Sequence, residues 1–276
     1  MTDEGVAMVS GASIACMVIS GAIAIGLPVG LFLGLRKRLG LRVVPMMVGA
    51  AVFVLFVTVL ERALHQVVLQ PAADGTALAT RNPALFVTYA VLAAGVFEET
   101  GRLVGFLLLK RHFAGVRTAV SYGIGHGGIE SVLLLGVVMV NNVVLAVAIN
   151  LGVADLVLGS LPPETVAVVT QSLTQTSSAM FLVGAFERVF AVVVQVALSV
   201  LVWVAVTHKG RRWLFPLAIV LHALVNVPAA CFQAGLLSMA WVEGILVVSA
   251  LALGAYAVWW FRRCATEERL AVDAAS

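Results

Sequence analysis

Two adjacent carboxylates and an arginine, in the string Phe-Glu-Glu-Thr-Gly-Arg at residues 97–102, interrupt an apolar stretch that runs from Ala84 to Leu109. That stretch is long enough to cross a lipid bilayer. Charged side chains at the bilayer centre are expensive unless they are paired or hydrated, and they commonly mark functional sites. A functional site is therefore the first interpretation of Glu98, Glu99 and Arg102, and a buried ion pair that fixes helix packing is the alternative.

Two more apolar segments carry polar residues four positions apart, the spacing that places side chains on one helix face. The string Tyr-Gly-Ile-Gly-His-Gly-Gly-Ile-Glu contains His126 and Glu130, and the string His-Ala-Leu-Val-Asn contains His222 and Asn226. The glycines allow a neighbouring helix to approach closely. Arg102, His126 and His222 all lie roughly 12 Å from the expected cytoplasmic end of their helices. The spacing and the depth together predict one polar site built from three helices.

These residue types are suited to hydrolysis. A carboxylate can act as a general base that deprotonates water, and imidazole or amide groups can donate hydrogen bonds to a developing oxyanion. Alternatively, His126, His222, Glu98 and Glu130 could hold a zinc ion with one open coordination position. The carboxylate four residues after His126 differs from the His-Glu-x-x-His pattern of soluble zinc proteases. No metal is favoured on this ground, and zinc stays open as the alternative.

Transmembrane helices must position these groups. The chain is 62% hydrophobic and 11% charged, whereas soluble domains carry about 25% charged residues. We predict a multi-pass, all-α helical bundle in the bacterial inner membrane, with residues 1–276 forming a single integral membrane domain. Apolar runs predict about seven spans, at residues 8–34, 43–64, 83–109, 118–142, 179–207, 214–234 and 240–261. The polar site falls on spans 83–109, 118–142 and 214–234, and residues 143–178 are expected to form a long outer loop with a partly embedded section.

The basic residues predict the orientation of the bundle. All but four of the 17 lysines and arginines fall in segments that lie on one side if the N-terminus is outside and the C-terminus is cytoplasmic. This asymmetry follows the positive-inside rule. The net charge of +3 is therefore explained by basic loops. We expect contacts with the lipid bilayer and with a membrane-anchored substrate, and no nucleic-acid partner.

The three strings together resemble the YhfC family of bacterial membrane proteins. That family is grouped with the CAAX-prenyl-protease and bacteriocin-processing (CPBP, or Abi) intramembrane proteases, and more distantly with the PrsW proteases. The wider pattern is Glu-Glu-x-x-x-Arg, aromatic-x-x-x-His and His-x-x-x-Asn. Tyr122 with His126 matches the second part, and His222 with Asn226 matches the third. The first part departs, because Arg102 follows the second glutamate by three residues, and either glutamate is therefore a candidate base.

The resemblance implies an intramembrane endopeptidase that cleaves a membrane-associated protein or peptide with a glutamate-activated water and a His/Asn oxyanion site. Members of the wider group were long called metalloproteases, so a zinc-dependent version of the same hydrolysis is the alternative. We predict a catalytic set and a set that orients it. The catalytic set is Glu98, Glu99, His126, His222 and Asn226. The orienting set is Arg102, Tyr122, Glu130, Glu187 and Arg188.

Two other classes of function use similar residues. Intramembrane His, Glu and Arg also form proton relays in transporters, although the chain shows no paired halves with broken helices of the kind common in transporters. A membrane scaffold without catalytic activity could keep the same polar core. Ion flux that depends on Glu98 would indicate the transporter. Of the remaining charged residues, Glu61, His65 and Glu243 are interpreted as interfacial groups at helix ends.

Overall fold

A computed structural model describes residues 8–274, with the exception of the side chain of residue 272, and in that range the chain forms ten helices and no strand. The helices are α1 (Gly11–Leu39), α2 (Val43–Val68), α3 (Leu78–Arg81), α4 (Pro83–Leu109), α5 (Arg117–Asn150), α6 (Ala154–Leu158), α7 (Pro163–Gln175), α8 (Met180–Thr207), α9 (Leu214–Gln233) and α10 (Met239–Asp273). Helix α2 contains a wider π-helical segment at Val54–Glu61, and α5 contains one at Val132–Gly136.

Six of these helices, α1, α2, α5, α8, α9 and α10, are long and apolar enough to cross a membrane. The prediction of a polytopic helical bundle is therefore confirmed. Helix α4 is 27 residues long, about 40 Å at the usual rise, but Glu98, Glu99 and Arg102 lower its hydropathy. The count of seven spans and the orientation of the chain stay predictions. Residues 1–7 and 275–276, at the two ends, lie outside the described residues.

The segment from residue 143 to 178 differs from the sequence-based expectation of a loop. Helix α5 continues without a break as far as Asn150, and α7 occupies Pro163–Gln175. The extension of α5 is apolar through Val143 and Val144 and has no proline or glycine before Asn150, so nothing in this stretch stops a helix. The helix therefore extends beyond the predicted span at residues 118–142, and the membrane boundaries of that span stay a prediction.

The chain divides into two compact units, residues 1–27 with 131–189 and residues 28–130 with 190–276. In the first unit, Met17, Met139, Ile149 and neighbouring apolar residues form a core. Asn150, the last residue of α5, holds the segment that precedes α1. Its side chain accepts a hydrogen bond from Val9 N at 2.8 Å and donates one to Val9 O at 2.9 Å. A half-buried side-chain amide that satisfies both backbone groups fixes this part of the unit.

The second unit has its core along residues 190–207 of α8. Residues 200–204, Val-Leu-Val-Trp-Val, are each at most 2% exposed. A helix that is apolar on all sides and buried on all sides lies inside a bundle. Trp203 packs edge-on against Phe106 of α4, with ring centroids 5.3 Å apart. This central helix provides a rigid wall beside the charged part of α4.

Glycines let α5 pack very closely on its neighbours in the second unit. A Cβ atom at Gly125 would overlap the backbone carbonyl of Met46 on α2, and one at Gly49 would overlap the carbonyl of Tyr122. On another face, a Cβ at Gly127 would lie 2.8 Å from the Gln195 side chain. Backbones that approach this closely require small residues at the crossing. The glycines therefore bring His126 against both α2 and α8.

Candidate active site

Helix α4 carries three charged side chains that are almost completely buried. Glu99 and Arg102 are 0% exposed and Glu98 is 7% exposed. Buried charges are tolerated where they are paired and hydrogen-bonded. The side chains of α5, α8 and α9 supply those partners in the second unit, and the result is a polar cluster in an apolar bundle.

Glu99 and Arg102 form the closed side of this cluster. Arg102 Nε lies 3.0 Å from Glu99 Oε2, one helical turn away. The other oxygen of Glu99 lies 2.6 Å from His222 Nδ1 on α9. Glu99 therefore has a cation on one oxygen and an imidazole on the other, and it fixes the position of the His222 ring.

Glu98 is approached by groups from three other helices. Its Oε2 atom lies 3.0 Å from His126 Nε2 on α5 and accepts a hydrogen bond from Gln195 Nε2 on α8, also at 3.0 Å. Its Oε1 atom lies 3.5 Å from His222 Nε2. Arg102 is farther away, with Nη2 at 3.7 Å. Glu98 is thus surrounded by neutral or titratable donors, whereas Glu99 has the closer contact with the guanidinium.

Gln195 and Ser199 of α8 complete the cluster, and neither was predicted from the sequence. Arg102 Nη2 donates to Gln195 Oε1 at 2.6 Å, and Nη1 donates to Gln195 O at 3.0 Å and to Ser199 Oγ at 2.8 Å. Gln195 also donates to Glu130 at 2.6 Å. The available signal was a pair of polar residues four positions apart in an apolar run, the same spacing that identified the other helices.

Aromatic rings hold His126 in place. Tyr122 lies one turn before it and stacks on its ring with centroids 5.8 Å apart, and Phe53 of α2 contacts it edge-on at 5.1 Å. His126 is 0% exposed, and its Nδ1 atom has no hydrogen-bond partner among the described residues. With Nε2 directed to Glu98, the ring has little freedom to turn.

The remaining predicted residues lie in different places. Asn226 is half-buried one turn after His222 and lines a neighbouring cavity. Glu130 is linked to Glu98 through Gln195. Glu187 and Arg188 form an ion pair with each other in the first unit. The structure thus brings Glu98, Glu99, Arg102, His126 and His222 into direct contact, and the roles of all the predicted residues stay predictions.

Fold and site define a polytopic membrane protein with a buried carboxylate and histidine cluster, the groups that a hydrolase requires. A profile of the YhfC intramembrane metalloprotease family matches residues 23–247. The chain is also 36% identical over 252 residues to "Uncharacterized membrane protein YhfC" of Bacillus subtilis (strain 168), with 90% of this chain and 96% of that relative covered. No solved structure gives a significant match.

The chain belongs to the YhfC intramembrane metalloprotease family. The predictions of an enzyme, of a protease and of a multi-pass integral membrane protein are confirmed at that level. The wider grouping with the CPBP and PrsW proteases stays a prediction. The family description makes a bound metal ion possible, so the donor atoms of the cluster decide how well a metal would fit.

As arranged, the polar cluster does not fit a zinc site. Zinc needs three or four ligand atoms around one point, and no three ligand atoms of Glu98, Glu99, Glu130, His126 and His222 converge within 4.8 Å of one another. The Arg102 guanidinium also lies among them, with contacts to both carboxylates. A second cation there would meet an immobile positive charge.

In the described part of the chain, the group that does converge is His208, Cys264 and Glu267, near the ends of α8 and α10. Arg211 already occupies it, since its guanidinium donates to Glu267 at 2.6 Å and to Cys264 Sγ at 3.4 Å. This group therefore has an ion pair and a thiol hydrogen bond of its own, and it does not supply a second candidate for catalysis.

Proposed function

We propose that the chain is an intramembrane endopeptidase in which Glu98 activates water for attack on a peptide bond of a membrane-associated substrate. The observation that supports the proposal is the contrast between the two glutamates. Glu99 is fully buried and held by Arg102 and His222, so it has no room for water. Glu98 retains some exposure and faces two imidazoles and an amide. Glu98 is thus the better base, and Glu99 positions His222.

The charges of Glu98, Glu99 and Arg102 can balance with the charge of His222. Two carboxylates and one guanidinium leave one negative charge, which a doubly protonated His222 neutralises between Glu98 and Glu99. In that state Nδ1–H donates to Glu99 and Nε2–H points towards the Glu98 side. Buried charges require such compensation. The same Nε2–H is then available to an oxyanion that forms next to Glu98.

The reaction follows from these positions. Glu98 takes one proton from a water molecule, and the resulting hydroxide forms a bond to the substrate carbonyl carbon. The tetrahedral oxyanion accepts hydrogen bonds from His222 and from Asn226, one turn farther along α9. Glu98 then gives its proton to the amide nitrogen as the carbon–nitrogen bond breaks. The products are a carboxylic acid and an amine, and Glu98 is regenerated.

A zinc-dependent version of this hydrolysis is closer to the family's description, and it would use His126, His222, Glu98 and Glu130 as ligands. It would require Arg102 to leave the cluster and the two imidazoles to move together. The glutamate mechanism requires neither change, and we favour it for that reason.

The test is peptide cleavage by purified protein in liposomes that contain a mixture of single-span peptides, with new termini identified by mass spectrometry. We expect Glu98→Gln to reduce the rate by about 10²- to 10⁴-fold, and Glu99→Gln to reduce it less. Glu243→Gln is the matched control and should cleave normally, because Glu243 is a half-buried carboxylate on α10 that lies outside the cluster. Unchanged turnover in Glu98→Gln would refute the proposal, whatever the result for Glu99→Gln and the double variant.

A further inference from the structure

A polar cavity of about 290 Å³ lies beside the proposed active site, among α2, α4 and α9 of the second unit. Its polar lining consists of Glu61, His65, Asn226 and Gln233, and alanines form much of the rest. A cavity of this size accommodates one large side chain. The small alanine side chains leave room for the aliphatic part of a long side chain, and the four polar residues can contact its polar end.

Glu61 is the unusual member of this cavity. The sequence predicted an interfacial group, but the residue is only 4% exposed and lies against side chains of α4 and α9. Its Oε1 atom lies 3.4 Å from His65 Nε2. Its Oε2 atom is buried and has no hydrogen-bond partner within residues 8–274. A buried carboxylate oxygen without a donor is unfavourable until a donor arrives.

His65 cannot turn freely to supply that donor. Its Nδ1 atom is hydrogen-bonded to the Tyr89 hydroxyl at 2.8 Å. The Tyr89 ring packs edge-on against the His65 ring, with ring centroids 5.5 Å apart. The imidazole therefore reaches one oxygen of Glu61 and leaves the other, Oε2, without a donor. No lysine or arginine in the described chain lies within 4.0 Å of Glu61, in contrast to Glu98 and Glu99.

The cavity adjoins the reaction centre along two helices. Ala94 lies one turn before Glu98 on α4, and Asn226 lies one turn after His222 on α9. One turn is about 5.4 Å along a helix, and an extended peptide advances about 3.3 Å per residue. A substrate with its scissile bond at Glu98 would place a side chain one or two residues away in this cavity.

We propose that this cavity is a specificity subsite for a basic side chain, lysine or arginine, next to the scissile bond, and that Glu61 accepts its N–H donors. The inference rests on the proposed function and adds the class of substrate. An ammonium or guanidinium supplies both the missing donor and the missing positive charge. Charge-assisted hydrogen bonds in a poorly solvated site are stronger than neutral ones. An acidic or purely apolar side chain would leave Oε2 unpaired.

The first test compares single-span peptides that differ at one residue near the cleaved bond, which is lysine, norleucine or glutamate. We expect the wild type to prefer lysine to norleucine by about 10- to 100-fold in kcat/KM. In Glu61→Gln this ratio should fall towards one, while in the control Glu243→Gln it should stay at the wild-type value. Equal loss of turnover with both peptides in Glu61→Gln would indicate proton transfer rather than recognition and would overturn the proposal.

The second test does not depend on turnover. Dicyclohexylcarbodiimide, an apolar reagent that modifies carboxyl groups, is applied to the Glu98→Gln variant, and labelling of Glu61 is measured by mass spectrometry. We expect the lysine peptide to protect Glu61 and the norleucine peptide to protect it several-fold less. Absence of labelling, or equal protection by both peptides, would contradict the subsite. Selective protection without cleavage by the wild type would support the subsite and count against the proposed hydrolysis.

Discussion

Two groups of buried carboxylates lie in the same unit of this protein and differ in how their charge is balanced. Glu98 and Glu99 have Arg102 within 3.7 Å and 3.0 Å, and histidines from two other helices. Glu61 has one histidine at 3.4 Å, and one of its oxygens has no partner in the part of the chain that the structure describes.

This difference indicates that the Glu98 and Glu99 cluster has a fixed geometry, whereas Glu61 can bind an additional hydrogen-bond donor. Ion pairs with Arg102 and hydrogen bonds with Gln195 and the histidines fix the geometry of the first group, as a catalytic cluster requires. Glu61 lines an open cavity and is oriented by His65 alone, so it can accept a donor from outside. The role of a buried carboxylate therefore depends on the groups that pair with it, and burial alone does not define that role.

Replacement of Arg102 should give the largest effect on stability. Arg102→Met removes the cation from two buried carboxylates and from Gln195, and loss of one partner from a buried ion pair costs about 3–5 kcal/mol. We expect a large drop in the thermal midpoint in detergent and little folded protein. Arg263→Met, which removes an arginine with a 51% exposed side chain that pairs with Glu267, should cost less than about 1 kcal/mol.

The second largest loss of stability is expected at the close helix crossing that brings His126 to Glu98. Gly125→Ala places a Cβ against the Met46 carbonyl, and overpacking of this kind costs about 1–3 kcal/mol. Gly244→Ala on α10 is the matched control, because nothing lies within 4 Å of its Cβ position. The control should be neutral or slightly stabilising, by up to about 1 kcal/mol. Equal midpoints for the two variants would show that the crossing is looser than described.

Gln195 should affect catalysis more than folding. Gln195→Leu removes the donors to Glu98 and Glu130 and the acceptor for Arg102. Outer partners of this kind commonly change activity by about 10- to 100-fold. We expect a loss of that size in kcat, measured with the liposome assay. Gln171→Leu, on the exposed face of α7, serves as the control and should leave kcat unchanged.

The smallest effect, with the opposite sign, is expected at Glu61. Glu61→Gln removes a buried carboxyl group that lacks a full set of partners, so the free energy of unfolding should stay the same or rise, by about 1 kcal/mol at most, and the thermal midpoint with it. Glu99→Gln weakens the pairing of Arg102 and should lower the midpoint. If both substitutions lowered it equally, the two carboxylate groups would not differ in the way that their partners indicate.

The sequence predicted most of the helices because long apolar runs leave few alternatives in a membrane protein. It also selected Glu98, Glu99, Arg102, His126 and His222, which the structure brings together, because polar pairs at a spacing of four residues are rare in such runs. Their catalytic roles rest on the proposed function. The signal came from the conflict between charge and apolar surroundings, which needs no structural information.

Other features lay beyond the sequence for physical reasons. Glu61 was placed at a helix end because a regular span of about 20 residues would stop near residue 64. The helix continues to Val68, and Glu61 is buried among side chains of α4 and α9, which the sequence does not show. Gln195 and Ser199 are uncharged, so their cost in a membrane is small and they attract little notice. The continuation of α5 to Asn150 was missed although residues 143–149 are apolar, because a further full crossing there would have reversed the distribution of basic residues. Helix α7 was missed because polar and apolar residues alternate in Pro163–Gln175 without a clear period.

The central claim is that protein side chains, with Glu98 as base, carry out the hydrolysis. The most direct measurement is the zinc content of purified, folded wild type beside His126→Ala and His222→Ala, with cleavage by each sample followed before and after chelation. We expect the purified wild type to contain no stoichiometric zinc and to cleave the peptides equally well before and after chelation. Stoichiometric zinc that is lost in both histidine variants, together with cleavage that chelation abolishes, would contradict it.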